Sequence, residues 1–356
     1  MPWQTYYPYY LCRLSTPCPP LLDQQTGTRD TVHDLFTDNA AQIVAAGFFV
    51  GVIVGVTGMG GGALMTPALI FLGVGHTSAI VTADLTAAAV YKTGGALVHS
   101  KHGSPNFHLA GWLIAGSVPM AFLGPHLVSW VVDEGDVEDL LKMCIGFALL
   151  VAASTYAIRL YIQLVRVRTG HLAADDNPTI RPIPTMLVGA LGGLLVGITS
   201  VGSGSVIMVV LLILYPTLSA LKLVGTDLVQ AVPLVLAAAI SNIMVNGLDW
   251  GITLPLILGS VPGTLIGARF AAKVPQSVIR RGIVIVLTMS GVALLDKAGW
   301  APLGAGEDDT HPVLIGVIGL VMLVVVPVVW GFLRKRQGLP MFGAPTVAEL
   351  EGSKKG

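Results

Sequence analysis

A glycine-dense signature occurs twice inside long apolar stretches of this 356-residue chain. It limits the possible folds more than any other feature. The first copy runs Gly47, Gly51, Gly55, Gly58, then Gly60-Gly61-Gly62, and reaches Pro67. The second runs Gly189, Gly193, Gly197, then Gly202-Ser203-Gly204-Ser205. Glycine costs roughly 1 kcal/mol per residue relative to alanine inside a helix. Stretches as dense as Gly58-Met59-Gly60-Gly61-Gly62 and Ser200-Val201-Gly202-Ser203-Gly204 should therefore break one, and a new short helix should start at Ala63 and at Ser205. A paired interruption in two halves of one chain is the sequence mark of a binding site at the centre of a membrane protein.

Only 11% of the residues are charged, where a soluble domain carries roughly 25%. So few charges cannot wet a whole surface, and most of it is expected to face lipid. At about 20 residues per span the chain has room for on the order of ten. The formal net charge is +0, which gives no reason to expect a nucleic-acid partner. Cys12 and Cys18 stand in a polar N-terminal tail, where an exported chain could pair them. Cys144 lies in an apolar run and is expected to be a small buried hydrophobe. No metal-ligand spacing occurs, and no cofactor is expected.

The halves are related by a shift that lengthens by one residue along the chain. Moving 142 residues superposes Gly47, Gly51, Gly55, Thr57, Gly60 and Gly62 on Gly189, Gly193, Gly197, Thr199, Gly202 and Gly204. A shift of 143 carries Asp84-Leu85 onto Asp227-Leu228, and Gly116-Ser117-Val118-Pro119 onto Gly259-Ser260-Val261-Pro262. Apolar segments are read at Ala40 to Gly58, Gly62 to Leu72, His76 to His99, Phe107 to Val132 and Leu140 to Ile158. The second set is Thr185 to Ser200, Ser205 to Tyr215, Leu221 to Val245, Ile252 to Ala272 and Val278 to Leu295, followed by Val313 to Leu333. The expected fold is an all-α polytopic membrane protein of about 8–11 membrane helices, built as two inverted repeats with broken helices.

The organisation that follows is a polar tail (1–38), a first repeat (39–159), a charged connector (160–183), a second repeat (184–296), a loop with an extra helix (297–333) and a basic tail (334–356). The tail before Asp38 has neither the basic leader nor the apolar core of a signal peptide. Basic residues mark cytoplasmic loops. Lys101, the Arg159 to Arg181 connector, Lys273 with Arg280 and Arg281, and Arg334-Lys335-Arg336 all fall on one side. Acidic loops around Glu134 and Asp308 fall on the other. The C-terminus is then inside and the N-terminus outside, and the first repeat enters from the side opposite to the second.

The glycines at every fourth position suit close helix crossing. The breaks offer more: a helix start has free N–H groups and the positive end of the dipole, and two such starts would cradle an anion. The candidate binding residues are Thr57, Gly60, Gly61, Gly62, Thr199, Ser200, Gly202, Ser203, Gly204 and Ser205. Ionisable groups within spans are expensive and mark function by default. Asp84, Lys92 and Asp227 are the candidates for coupling or charge compensation; either carboxylate could instead cap a helix start. His99 matches Asn242 by position, but is expected near the surface. No phosphate loop, zinc-protease motif or nucleophile elbow occurs, so neither direct ATP drive nor an enzyme is expected.

The stretch from Gly55 through Thr57, Gly58 and Gly60-Gly61-Gly62 to Pro67, its echo from Gly197, and the duplicated Gly-Ser-Val-Pro resemble the sulfite exporter (TauE/SafE) family of membrane permeases, over roughly Gly47 to Trp300. The resemblance implies an inner-membrane secondary transporter for a small sulfur-containing anion such as sulfite or sulfoacetate; the expected coupling ion, a proton or sodium, is read from the carboxylates within the spans. The residues leave open a channel-like pore or a non-transporting assembly subunit. The Gly-Ser-Gly-Ser of the second copy predicts an asymmetric site, richer in hydroxyls on its C-terminal side.

Overall fold

The computed structural model describes residues 39–57, 61–99, 105–132, 136–169, 179–202, 204, 206–215, 218, 220–270, 276–299 and 312–336. These residues form eleven helices and no strand: α1 (Ala40–Thr57), α2 (Gly62–Leu72), α3 (Thr77–His99), α4 (Phe107–Val131), α5 (Val137–Thr169), α6 (Pro182–Thr199), α7 (Val206–Leu214), α8 (Ala220–Asn246), α9 (Trp250–Phe270), α10 (Gln276–Lys297) and α11 (Pro312–Arg336). Seven of them contain stretches long and apolar enough to cross a bilayer: α1, α4, α5, α6, α8, α9 and α11. The protein is a multi-pass membrane protein, all-α as its composition requires. The tail of residues 1–38 lies outside the described residues.

Bare glycine faces set the helix crossings. Gly47, Gly51 and Gly55 of α1 meet Leu256, Ser260 and Thr264 of α9, while Gly259, Gly263 and Gly267 of α9 meet Val44, Phe48 and Val52 of α1. A Cβ placed on Gly51 would stand 2.7 Å from the Ser260 carbonyl oxygen, so backbone packs on backbone. The second half repeats this crossing. Gly189, Gly193 and Gly197 of α6 meet Leu113, Ser117 and Ala121 of α4, and Gly116 and Gly124 of α4 meet Met186 and Ile198 of α6. Shifts of 142 and 143 residues map α1 onto α6 and α4 onto α9, so one crossing is made twice, each time between different halves. In both crossings residue numbers rise together, so α1 runs parallel to α9 and α6 parallel to α4.

Both short helices turn back. Tyr215, just after α7, accepts the Arg181 N–H at 2.9 Å and shares a 2.6 Å hydrogen bond with the Thr185 hydroxyl. The end of α7 therefore sits beside the start of α6. Midway up the hairpin Gly192 lies against Ile207. In the first half Gly75, after α2, lies against Ile252 at the start of α9. Because α9 runs parallel to α1, this returns the chain to the level at which α1 began. Replacing Tyr215 by phenylalanine removes the hydroxyl that closes the second hairpin. At about 0.5–1.5 kcal/mol per hydrogen bond, the expected loss is about 1–3 kcal/mol, seen as a lower midpoint of thermal unfolding in detergent. An unchanged midpoint would contradict this account of the hairpin base.

Glu138 of α5 clasps the start of α3, taking the Thr77 N–H and hydroxyl on its carboxylate at 3.1 Å and 2.6 Å. The charged connector begins as helix: α5 continues to Thr169, because Arg159, Gln163, Arg166 and Arg168 are good helix formers that end the apolar span without ending the helix. Cys144 is half-buried rather than fully buried. The last helix, α11, packs on α10, where Gly319 meets Met289. It leaves Leu320, Val321, Leu323, Val324 and Val328 exposed on a face suited to lipid. It is peripheral, as its place outside the repeat predicts.

Candidate solute and coupling site

The first break separates α1, ending at Thr57, from α2, starting at Gly62. Within it Gly58, Met59 and Gly60 lie outside the described residues. Gly61 accepts the N–H groups of Leu64 and Met65 at 2.9 Å, so Gly62 and Ala63 stand in the first turn of the new helix, where N–H groups have no partner within the helix. The second break begins at Ser200, whose backbone is left-handed (φ 59°) and whose N–H caps α6 on the Val196 carbonyl. Gly202 follows at φ 114°, a conformation that side chains rarely tolerate. Gly202 and Gly204 are buried; Ser203 and Ser205 lie outside the described residues. The helix restarts at Val206, one residue later than Ser205.

The two breaks touch. Gly62 packs directly on the Ser200 carbonyl, and a Cβ on Gly62 would overlap it. Helix α3 runs beside this junction and stitches it. Asp84 is fully buried, and its Oδ2 accepts the Thr66 hydroxyl from α2 at 2.6 Å and the Ser200 hydroxyl from the second break at 2.8 Å. One carboxylate oxygen thus joins the two halves. The other, Oδ1, is buried with no hydrogen-bond donor among the described residues. Two turns on, the Tyr91 hydroxyl accepts the Gly61 N–H at 3.0 Å. Lys92 follows, within electrostatic reach of both Asp84 and Asp227. Asp227 is buried on α8, in the position that matches Asp84.

The structure thus brings Gly61, Gly62, Ser200 and Asp84 to one junction, and Lys92 within charge reach of both carboxylates. Thr57 and Thr199 are engaged differently: their hydroxyls donate to the carbonyls of Ile53 and Leu195, four residues back on their own helices, at 2.7 Å and 2.6 Å. Asp84 is held by side-chain hydroxyls from two elements, and among the described residues no N–H at the start of α2 donates to it. Three participants escape the sequence patterns. Thr66 and Tyr91 have the look of ordinary span residues. Gln230, fully buried one turn beyond Asp227, donates to the Ser117 hydroxyl at 3.0 Å, while its Oε1 has no partner among the described residues. The serine of the duplicated Gly-Ser-Val-Pro was the available signal for that contact.

A cavity of about 270 Å³ lies on the side where α3 begins and α8 ends, with Ser78, Val81, Pro125, Gly197, Asn242 and Asn246 in its wall. Gly197 and Ile198 of α6 carry the wall to the edge of the second break. Asn242 spans that edge, donating to the Gly197 and Ala238 carbonyls at 2.9 Å. Val81 stands one turn before Asp84 on α3. The side chain of His99, which matches Asn242 in sequence, lies outside the described residues. Among the described residues no cluster of metal-ligating side chains occurs.

The family model described as sulfite exporter TauE/SafE matches residues 43–294. The chain is similar to "Probable membrane transporter protein YjnA" of Bacillus subtilis (strain 168), with 32% identity over 258 residues, which cover 72% of this chain and 100% of that protein. It is also similar to "Probable membrane transporter protein YdhB" of the same organism, with 24% identity over 254 residues, covering 71% of this chain and 99% of the relative. No solved structure matches the chain.

Proposed function

The chain belongs to the sulfite exporter TauE/SafE family of membrane transporters, and from that premise we propose that it is a secondary-active permease for a small anion, moved by alternating access. The solute class is a sulfur oxoanion or an organosulfonate, such as sulfite or sulfoacetate. One observation carries this reading: a broken helix from each half meets the other at Gly62 and Ser200. Free backbone groups inside a membrane need a partner, and an anion supplies one at the start of a helix.

In this proposal Gly60 and Gly62 present their backbone to the solute from the first half, and Gly61, whose N–H is taken by the Tyr91 hydroxyl, holds the turn between them. Gly202, Ser203, Gly204 and Ser205 do so from the second, with Thr57, Thr199 and Ser200 at the edges. Lys92 offsets the negative charge, and Asp84 and Asp227 carry the coupling ion, a proton or sodium. The halves are inverted repeats, a relation supported by the loop charges, which bring the first repeat in from the side opposite to the second. The membrane is the cell inner membrane, the N-terminus lies outside, and Arg334-Lys335-Arg336 end α11 on the cytoplasmic side. The cavity beside the second break is then a vestibule open to the outside.

Purified protein in liposomes tests this directly. The expected result is saturable uptake of sulfite or sulfoacetate, counterflow from preloaded vesicles, and accumulation when a pH or sodium gradient is imposed. Flux that rises linearly with concentration and shows no counterflow would identify a pore. Absence of flux for sulfite, sulfate, thiosulfate, sulfoacetate and taurine alike would overturn the permease.

A further inference from the structure

The junction holds a buried carboxylate that ties the two halves together. Asp84 Oδ2 accepts two hydroxyl donors, while Oδ1 is fully buried with no donor among the described residues. Lys92 lies within reach of this carboxylate and of Asp227. An ionised carboxylate inside a membrane protein is costly to bury, and a proton on Oδ1 removes that cost. Asp227 Oδ1 is buried in the same way, but the positions that match Thr66 in the second half hold Met208 and Val209, which offer no hydroxyl for such a clasp.

The clasp is also mechanical. Its two donors come from different halves, Thr66 from the returning helix α2 and Ser200 from the second break. Hydrogen bonds to an ionised carboxylate are roughly twice as strong as those between neutral groups. Ionised Asp84 therefore holds the breaks together, and neutral Asp84 loosens them. Resting on the permease reading above, we propose that Asp84 Oδ1 is a proton-binding site and that its proton releases a latch between the two halves.

The step is a simple protonation. A proton from water adds to Oδ1, the carboxylate becomes a carboxylic acid, and no other bond is made or broken. Tyr91 and Lys92 lie on α3 itself, and α8, packed against it, carries Lys222 and Asp227, the latter sharing Lys92. The helices that supply Thr66 and Ser200 carry no titratable side chain. On α9 the one such residue is Arg269, in its last turn. Glu138 of α5 is engaged by Thr77 at the start of α3. Val81, one turn before Asp84 on α3, lines the cavity.

Infrared difference spectra of the full-length protein in lipid nanodiscs, between pH 8 and pH 5, test the site without any solute. The expected result is a carbonyl stretch of a buried carboxylic acid in the wild type, retained in Asp227→Asn and absent in Asp84→Asn. Sulfoacetate counterflow in liposomes tests the latch. Its rate should vary about tenfold across that range in the wild type and become flat in Asp84→Asn. If Asp84→Asn does not fold, the double variant Thr66→Val with Ser200→Ala replaces it: the band should remain and the pH response of counterflow should flatten. A band that survives in Asp84→Asn, a response that stays steep in either variant, or coupling that follows sodium at constant pH overturns the proposal. A band lost in Asp84→Asn from a protein that moves no solute would support the proton site and sink the permease reading. Solute flux with no Asp84 band would do the reverse.

Discussion

Replacing Gly62 by valine is expected to abolish solute flux while the protein remains inserted and helical. A Cβ at this position would fall on the carbonyl of Ser200, and both partners are backbone, so no rotamer change relieves the overlap. The two breaks must separate, which pulls the Ser200 hydroxyl out of its 2.8 Å hydrogen bond to Asp84. Overpacking of this kind costs about 1–3 kcal/mol, which a multi-pass protein can survive. The binding geometry cannot, because anchoring groups displaced by about 1 Å no longer converge on one ligand. Gly111→Val is the control, since a Cβ there meets nothing within 4 Å. The comparison is made by liposome flux, with circular dichroism and monodispersity as checks on folding. Wild-type turnover in Gly62→Val would remove the junction from the mechanism.

Replacing Gly193 by leucine is expected to cost the fold itself. Gly193 lies against the Ser117 carbonyl in the α4–α6 crossing. A side chain there pushes apart two helices that approach closely along several turns, and it strains the hydrogen bond between Ser117 and Gln230. Helix association in lipid has little hydrophobic drive and depends on van der Waals packing, so a small-residue crossing that is forced open has nothing else to hold it. The expected outcome is little or no monodisperse protein after extraction. Gly263→Leu, in the equivalent α1–α9 crossing, should behave alike, and Gly282→Leu, with open space around its Cβ, should behave as wild type. Normal yield and thermal midpoint for Gly193→Leu would show that the crossing is softer than its geometry implies.

Much of this architecture is legible in the residues because glycine and charge are rare enough in a membrane helix to carry a message. The four-residue glycine spacing announces both crossings, and the glycine clusters announce both breaks to within a residue. Asp84 is found because a carboxylate in a span needs a reason to be there. What stays hidden is pairing. Nothing in the spacing says that Gly62 meets Ser200, since that meeting joins residues far apart in sequence and belonging to different halves. Thr66 and Tyr91 stay hidden because threonine and tyrosine are common in spans and become informative only once a partner is known. Gln230 could have been found: a buried amide among apolar residues raises the same question as a buried aspartate. The hydroxyls of Thr57 and Thr199 look available in a sequence, but a threonine in a helix commonly bonds back to its own carbonyls, and both do.

The reciprocal crossings have a consequence for biosynthesis. The partner of α1 is α9, which follows it by roughly 200 residues. At about 5–20 residues per second, a ribosome needs roughly 10–40 seconds to deliver it. Throughout that interval α1 waits in the bilayer with its glycine face bare, beside a translocon that is still inserting the helices between them. Neither half completes itself before the other is made. Truncated or stalled chains should therefore be recognised by quality-control proteases as unassembled, even when every helix already present has inserted correctly.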